Sequence, residues 1–138
     1  MRLVIDSSVF VAAFREDEPF SREAFSIIQQ LDGGKLWAAI PVIVPLEVMA
    51  AVRRRTGDTA LARTVGERIL SMRTVSLVDL TTFRLTQLVD VAVASGLRGM
   101  DAVVVGVAQE FGIPLLTLDT EMQKRAKSYA RCLHITDF

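Results

Sequence analysis

Leu3-Val4-Ile5-Asp6-Ser7-Ser8 and Pro114-Leu115-Leu116-Thr117-Leu118-Asp119 decide the fold, because each is a short apolar run that stops at an aspartate. Such runs are too short for a helix. Their lack of alternation fits parallel strands buried on both faces. In open α/β sheets, chemistry collects just beyond the carboxyl ends of such strands. Asp6 and Asp119 occupy that position.

Outward from these runs, strand-like and helix-like segments alternate. Ser7-Ser8 can cap a helix reaching about Arg15. Pro19 and Ser21 then start another, in which Ala24, Phe25, Ile28 and Leu31 keep helical spacing until Gly33-Gly34. Leu36–Ile40 reads as the second strand. Pro45 suits the first turn of a helix that carries Glu47, Val48, Ala51 and Val52 and ends in Arg53-Arg54-Arg55. Beyond Gly57-Asp58, Ala60–Ser71 completes a helical hairpin, and the β-branched Thr74–Val78 is a third strand. Leu80–Ser95 is helical and capped by Gly96, Asp101–Phe111 is a helix stopped by Gly112, and Ile113–Leu118 is the fourth strand. Glu121–Tyr129 completes the helices, with Cys132–Ile135 a short edge strand. This order predicts a three-layer α/β/α fold with a central parallel sheet of four to five strands, in one domain spanning 1–138.

At 138 residues and 51% hydrophobic, the chain can bury a substantial core and is far from disordered composition. The lone Cys132 excludes an intramolecular disulfide and fits a reducing compartment. The apolar stretch after Met1-Arg2 is too short for a signal peptide. The run Leu36–Leu46 holds Pro41 and Pro45 and is far shorter than a membrane crossing requires. The expectation is a cytoplasmic protein with no membrane partner. Net charge is zero, so no global basic field announces a nucleic acid. Setting aside four acids, 16 basic residues face 12 acidic ones, a balance that permits a polyanionic substrate.

Those four acids are Asp6, Glu47, Asp101 and Asp119. Asp101 opens the apolar stretch Ala102–Ala108, and Glu47 interrupts the apolar run Val42–Val52. Each has an ordinary explanation, since Asp is a good N-cap and acids in a first turn favour the helix dipole. Taken together they fall at two strand ends and two helix starts that enter the same sheet edge. Carboxylates gathered among apolar neighbours require compensation, and no lysine or histidine lies close in sequence. Hard oxygen donors suit magnesium or manganese rather than zinc, and no His/Cys cluster competes. Such ions activate water for phosphodiester hydrolysis. A Ser-His mechanism has no support, because the only histidine, His134, lies in the terminal segment.

The stretches LVIDSSVFVAAF, LEVMAAVRRRTG, LRGMDAVVVGVAQEFGIPLLTLD and TEMQKRA resemble PIN domains, and among them the toxin ribonucleases of bacterial VapBC systems. The resemblance runs from Leu3 to about Ala126. It implies that Asp6 and Asp101 are the principal metal ligands, with Glu47 and Asp119 binding directly or through water. Ser8 and Thr117 match supporting residues beside them. It further implies a Mg2+- or Mn2+-dependent endoribonuclease, an RNA substrate, a cognate small antitoxin and a homodimer. One departure is that Pro41–Leu46, ahead of Glu47, lacks the Ser/Thr residues often found there.

Several other features invite both structural and functional readings. Arg53-Arg54-Arg55 and the stretch Lys124, Arg125, Lys127 and Arg131 fit solvated helix ends, with RNA phosphates as the alternative. Arg98, three residues before Asp101, can reach the mouth of the site. Phe10, Phe14, Phe20 and Phe25 read as core, some able to form a groove for a partner helix or a second copy, and Trp37 reads as a core residue of strand two. Competing functions are a PIN nuclease for RNA maturation or DNA, and a PIN-like interaction module without chemistry. A receiver domain is disfavoured, because it needs paired acids after strand one and Asp6 is followed by two serines.

Overall fold

The computed structural model describes residues 1–138. The central strand is β1 (Arg2–Ile5), flanked by β2 (Trp37–Pro41) and then β3 (Val75–Val78) on one side. On its other side lie β4 (Leu115–Leu116) and β5 (Cys132–Leu133), and all five strands are parallel. Leu3, Val4, Ile5, Leu115 and Leu116 are fully buried, as the unbroken apolar runs require of the middle strands.

The chain moves from β1 to β2 to β3 in one direction and returns to place β4 on the other side of β1. The β1/β4 boundary is therefore the topological switch point, where the connections leave in opposite directions and open a crevice at the strand ends.

Strand four is shorter than the six residues expected. Pro114 has no N–H for the ladder, although its carbonyl accepts from the Val4 N–H at 2.8 Å. Past Leu116 the polar groups turn to side chains instead. Strand five is likewise two residues long, and His134 then caps the 3-10 turn Ile135–Asp137. The helix expected over Glu121–Tyr129 is α7 (Thr120–Ala126); it ends where both the Tyr129 and Ala130 N–H groups fold back to the Ala126 carbonyl.

Helix α1 (Ser7–Ala13) packs on α2 (Ser21–Asp32) and on α3 (Ile43–Thr56), and α3 forms a hairpin with α4 (Thr59–Ser71). Gly57 ends α3 with φ 70°, a left-handed cap that suits glycine. On the other side of the molecule α5 (Thr82–Ser95) lies on α6 (Gly99–Phe111), and α6 lies on β1 and β2. Every residue from Ala102 to Ala108 in α6 is buried, as befits a helix apolar all round. A Cβ at Gly106 would stand 1.9 Å from the Leu88 side chain, so glycine permits the close α5–α6 approach.

One contiguous core of 36 residues joins these layers. No single helix is long and apolar enough to cross a membrane.

Three aromatic expectations are corrected. Trp37, Phe20 and Phe25 are 49%, 44% and 48% exposed, whereas Phe10 is fully buried. Trp37 is the first residue of its strand, paired with Arg2 at the end of the sheet remote from Asp6. Phe25 lies off the buried stripe of α2, which is Ala24, Ile27, Ile28 and Leu31. Helix α5 is the least covered: only Leu88 and Val91 are buried, while Phe83 and Val93 are 73% and 80% exposed.

Candidate metal and active site

Asp6 leaves β1 at the switch point and caps α1. Its Oδ2 accepts from the Ser8 hydroxyl at 2.7 Å, from the Thr117 hydroxyl at 2.9 Å and from the Ser8 N–H at 3.4 Å. Ser8 is not the cap of α1, but it stands beside Asp6 as the family resemblance implied and ties the two central connections together, because its hydroxyl also accepts the Leu118 N–H at 3.0 Å. Thr117 is fully buried and accepts the Asp119 N–H at 3.1 Å. Asp119 in turn caps α7 through Oδ1, which accepts the Met122 N–H at 3.0 Å. The second oxygen of each aspartate takes no hydrogen bond from the protein, and no buried side-chain oxygen is left sealed from solvent without a partner.

Glu47 and Asp101 come from helices, at the fifth residue of α3 and the third of α6. The helix expected to begin at Asp101 begins at Gly99, with Arg98 at its cap. Neither Glu47 nor Asp101 forms an ion pair. Partial burial raises the Glu47 pKa from 4.5 to about 7, and the nearby Asp6 and Asp101 charges add to the effect. Burial also raises Asp101, reinforced by Asp6 and Asp119 and only partly opposed by Arg98. These shifts mark carboxylates that repel one another in a partly dehydrated cleft.

That cleft, about 620 Å³ in volume, is lined by Asp6, Ser8, Glu47, Asp101 and Asp119, with Arg98 at its edge. The structure thus brings all four acids to one opening, with Thr117 directly behind Asp6. They do not form a closed coordination cage, since no group of three or more His, Cys, Asp or Glu side chains is arranged to hold an ion directly. The donor set nevertheless fits a hydrated magnesium or manganese ion, which retains several waters and needs only one or two direct carboxylate contacts.

Residues 3–128 match the family model of the PIN domain. This chain belongs to the PIN domain family. No protein of curated function matches the sequence. Among solved structures, VapBC2 from Rickettsia felis, bound to a DNA fragment from its promoter, shares the fold at TM-score 0.71 and 15% identity, over 97% of this chain and 98% of that one. VapC20 from Mycobacterium tuberculosis, a Sarcin-Ricin loop cleaving toxin, does so at TM-score 0.72 and 17% identity, over 88% and 93%. FitAcB from Neisseria gonorrhoeae aligns over 100% of both chains at TM-score 0.64 and 15% identity. At these identities the likeness is one of fold, the PIN-like α/β fold that these proteins share.

In this PIN domain the cleft also has walls that the sequence did not reveal. Glu18, Phe20, Arg54 and Arg55 line it, and Arg55 is ion-paired with Glu18. Phe10 and Phe14, two of the aromatics considered for a partner groove, do not. The arginine triplet did carry a signal, but nothing in the sequence separated Arg54 and Arg55, which reach the cleft, from Arg53. Phe20 resembled any core aromatic.

Proposed function

We propose that this PIN domain is a metal-dependent endoribonuclease, the toxin of a type II toxin–antitoxin pair, acting in the cytoplasm. The observation that carries the reading is the convergence of four unneutralised carboxylates in one cleft at the switch point of a parallel sheet. Asp6 and Asp101 are the principal ligands for Mg2+ or Mn2+, and Glu47 and Asp119 bind directly or through water. A divalent ion at such a site lowers the pKa of a bound water and stabilises the charge that develops on the phosphoryl group.

The protein's own residues supply the positioning. Ser8 and Thr117 occupy Asp6 Oδ2 with hydroxyl donors, which fixes the carboxylate plane and leaves Oδ1 for the cation. Glu47, with a pKa near 7, would hold the ion as its carboxylate, so cation binding there would favour the deprotonated form. Arg98 stands beside Asp101, where a cationic side chain can meet a phosphate oxygen.

Two partners complete the proposal. A cognate antitoxin presents an arginine or lysine to the acids, for which the excess negative charge of the cleft is the complement. A second copy of the chain covers the apolar face of α5, where Phe83, Leu85, Val89 and Val93 lie exposed.

Labelled RNA incubated with the purified protein tests the chemistry. Cleavage is expected with magnesium or manganese, none in chelator, and loss by orders of magnitude in Asp101→Asn. Equal cleavage in chelator and in manganese would refute the metal role, and preference for DNA would refute the ribonuclease assignment.

A further inference from the structure

Phe20 precedes α2 with φ 62° and ψ 21°, and it is the only residue other than glycine with positive φ. A bulky side chain rarely adopts this conformation, and residues held in it concentrate at functional sites. The helix gains no cap from it, because phenylalanine has no hydrogen-bonding group for the free N–H donors. Nor does the core claim it, for the side chain is 44% exposed and lines the acidic cleft. Its ring is held on one side by His134, perpendicular at 6.1 Å between centroids. The segment is tied to the end of α3 through the Glu18–Arg55 ion pair. Arg54, on the same helix end, lines the cleft and forms no ion pair.

We propose that Phe20 is a platform on which a base of single-stranded RNA stacks, while Arg54 holds a neighbouring phosphate, so that the strand lies across the carboxylates. The inference rests on the ribonuclease reading above and adds to it the groups that seat the substrate. A single exposed ring beside cations, in a cleft where only 5 of the 16 lining residues are hydrophobic, matches single-strand recognition by stacking and phosphate contact. An amphipathic peptide helix would require a continuous apolar groove instead. The ring is sequence-tolerant, because every base has a face to stack. It favours an unpaired strand, because a base inside a duplex has no free face. Phe20 is thus a positioning residue that acts on the substrate and not on the metal.

The test uses the Asp101→Asn protein, whose cleavage is expected to be lost by orders of magnitude, in manganese with a short fluorescein-labelled single-stranded RNA of mixed sequence. Phe20→Leu, which keeps apolar bulk, should weaken binding on the order of tenfold, and Phe20→Tyr should restore it. Arg54→Gln should weaken binding and flatten its salt dependence by about one phosphate contact. Phe20→Trp provides a spectroscopic readout: its added fluorescence should be quenched by the RNA but less by the same RNA made abasic. Binding that is indifferent to Phe20→Leu, or quenching equal with abasic RNA, would overturn the stacking role even if the unsubstituted protein cleaves RNA. If the unsubstituted protein neither binds nor cleaves RNA, the ribonuclease reading falls, and this inference with it. Should Phe20→Leu fail to fold, the abasic comparison on Phe20→Trp still decides.

Discussion

Glu47→Gln should stabilise the metal-free protein above pH 7 and leave it unchanged below pH 4.5. The carboxyl titrates at 4.5 in an unperturbed chain and at about 7 in the folded cleft, because burial and the Asp6 and Asp101 charges disfavour ionisation. Between those values the folded protein retains a proton that the unfolded chain has released. Stability therefore falls as pH rises through this window, and the loss is complete above pH 7. Undiminished, the shift corresponds to about 3 kcal/mol. Glu47 is only half-buried, so solvent screening reduces that to about 1 kcal/mol.

For a chain of 138 residues, that difference shifts the melting temperature by roughly 3–5 °C. Thermal melts followed by circular dichroism in chelator, for wild type and Glu47→Gln across the window, measure it. The two curves should coincide at the acid end and separate toward neutral pH, with Glu47→Gln the more stable. Manganese should reverse the order, since a bound ion stabilises the wild type and binds the amide poorly. A Glu47→Gln protein that melts with the wild type at every pH in chelator, or below it above pH 7, would refute the electrostatic account of the cleft.

Asp101→Asn should match or exceed the melting temperature of the wild type in chelator, and the rise induced by manganese should shrink or vanish; a full wild-type response to manganese would remove Asp101 from the metal site. Thr117→Val removes the hydroxyl that donates to Asp6 and accepts the Asp119 N–H, and should cost about 1–3 kcal/mol in urea unfolding with an unchanged m-value. It should also weaken manganese binding seen by titration calorimetry. Leu115→Ala, at a fully buried position beside β1, should cost about 2–5 kcal/mol in the same unfolding assay, and a loss below 1 kcal/mol would mean that the strand is not central.

How much of this was legible in the sequence depended on the length scale of the signal. Leu3–Ile5 and Leu115–Leu116 announced themselves because a buried parallel strand leaves no alternation to misread. All five strands and the succession of helices followed the apolar periodicity and the Pro and Gly punctuation. Strand length did not, because the hydrogen-bond partners that end β4 come from Ser8 and Asp6, more than one hundred residues away. Trp37 and Phe20 were misread for a related reason. Hydrophobicity predicts that a residue prefers burial, but whether a neighbour arrives to cover it is a property of the assembled fold. The exposed face of α5 escaped notice in the same way: Thr82–Ser95 has a helical pattern, and only the packing shows that α6 takes up two of its residues.

The acids were legible as residues but ambiguous as groups, and a cap does not exclude a ligand. Asp6 and Asp119 are both N-caps, so the ordinary reading is correct for one oxygen of each. A cap consumes one carboxylate oxygen and orients the other. In Asp6 the constraint is stronger, because Ser8 and Thr117 both donate to Oδ2 and so fix the direction of Oδ1. The backbone at a strand-to-helix turn thus orients a free carboxylate oxygen with the same interaction that starts the helix. Glu47 and Asp101 have no such anchor, and burial together with neighbouring carboxylates displaces their pKa values upward. The capping hydrogen bonds therefore fix the two aspartates, whereas Glu47 and Asp101 face the cleft without such an anchor. Replacing a capped aspartate by asparagine should accordingly cost metal affinity with little change in helix stability, because asparagine retains the capping oxygen.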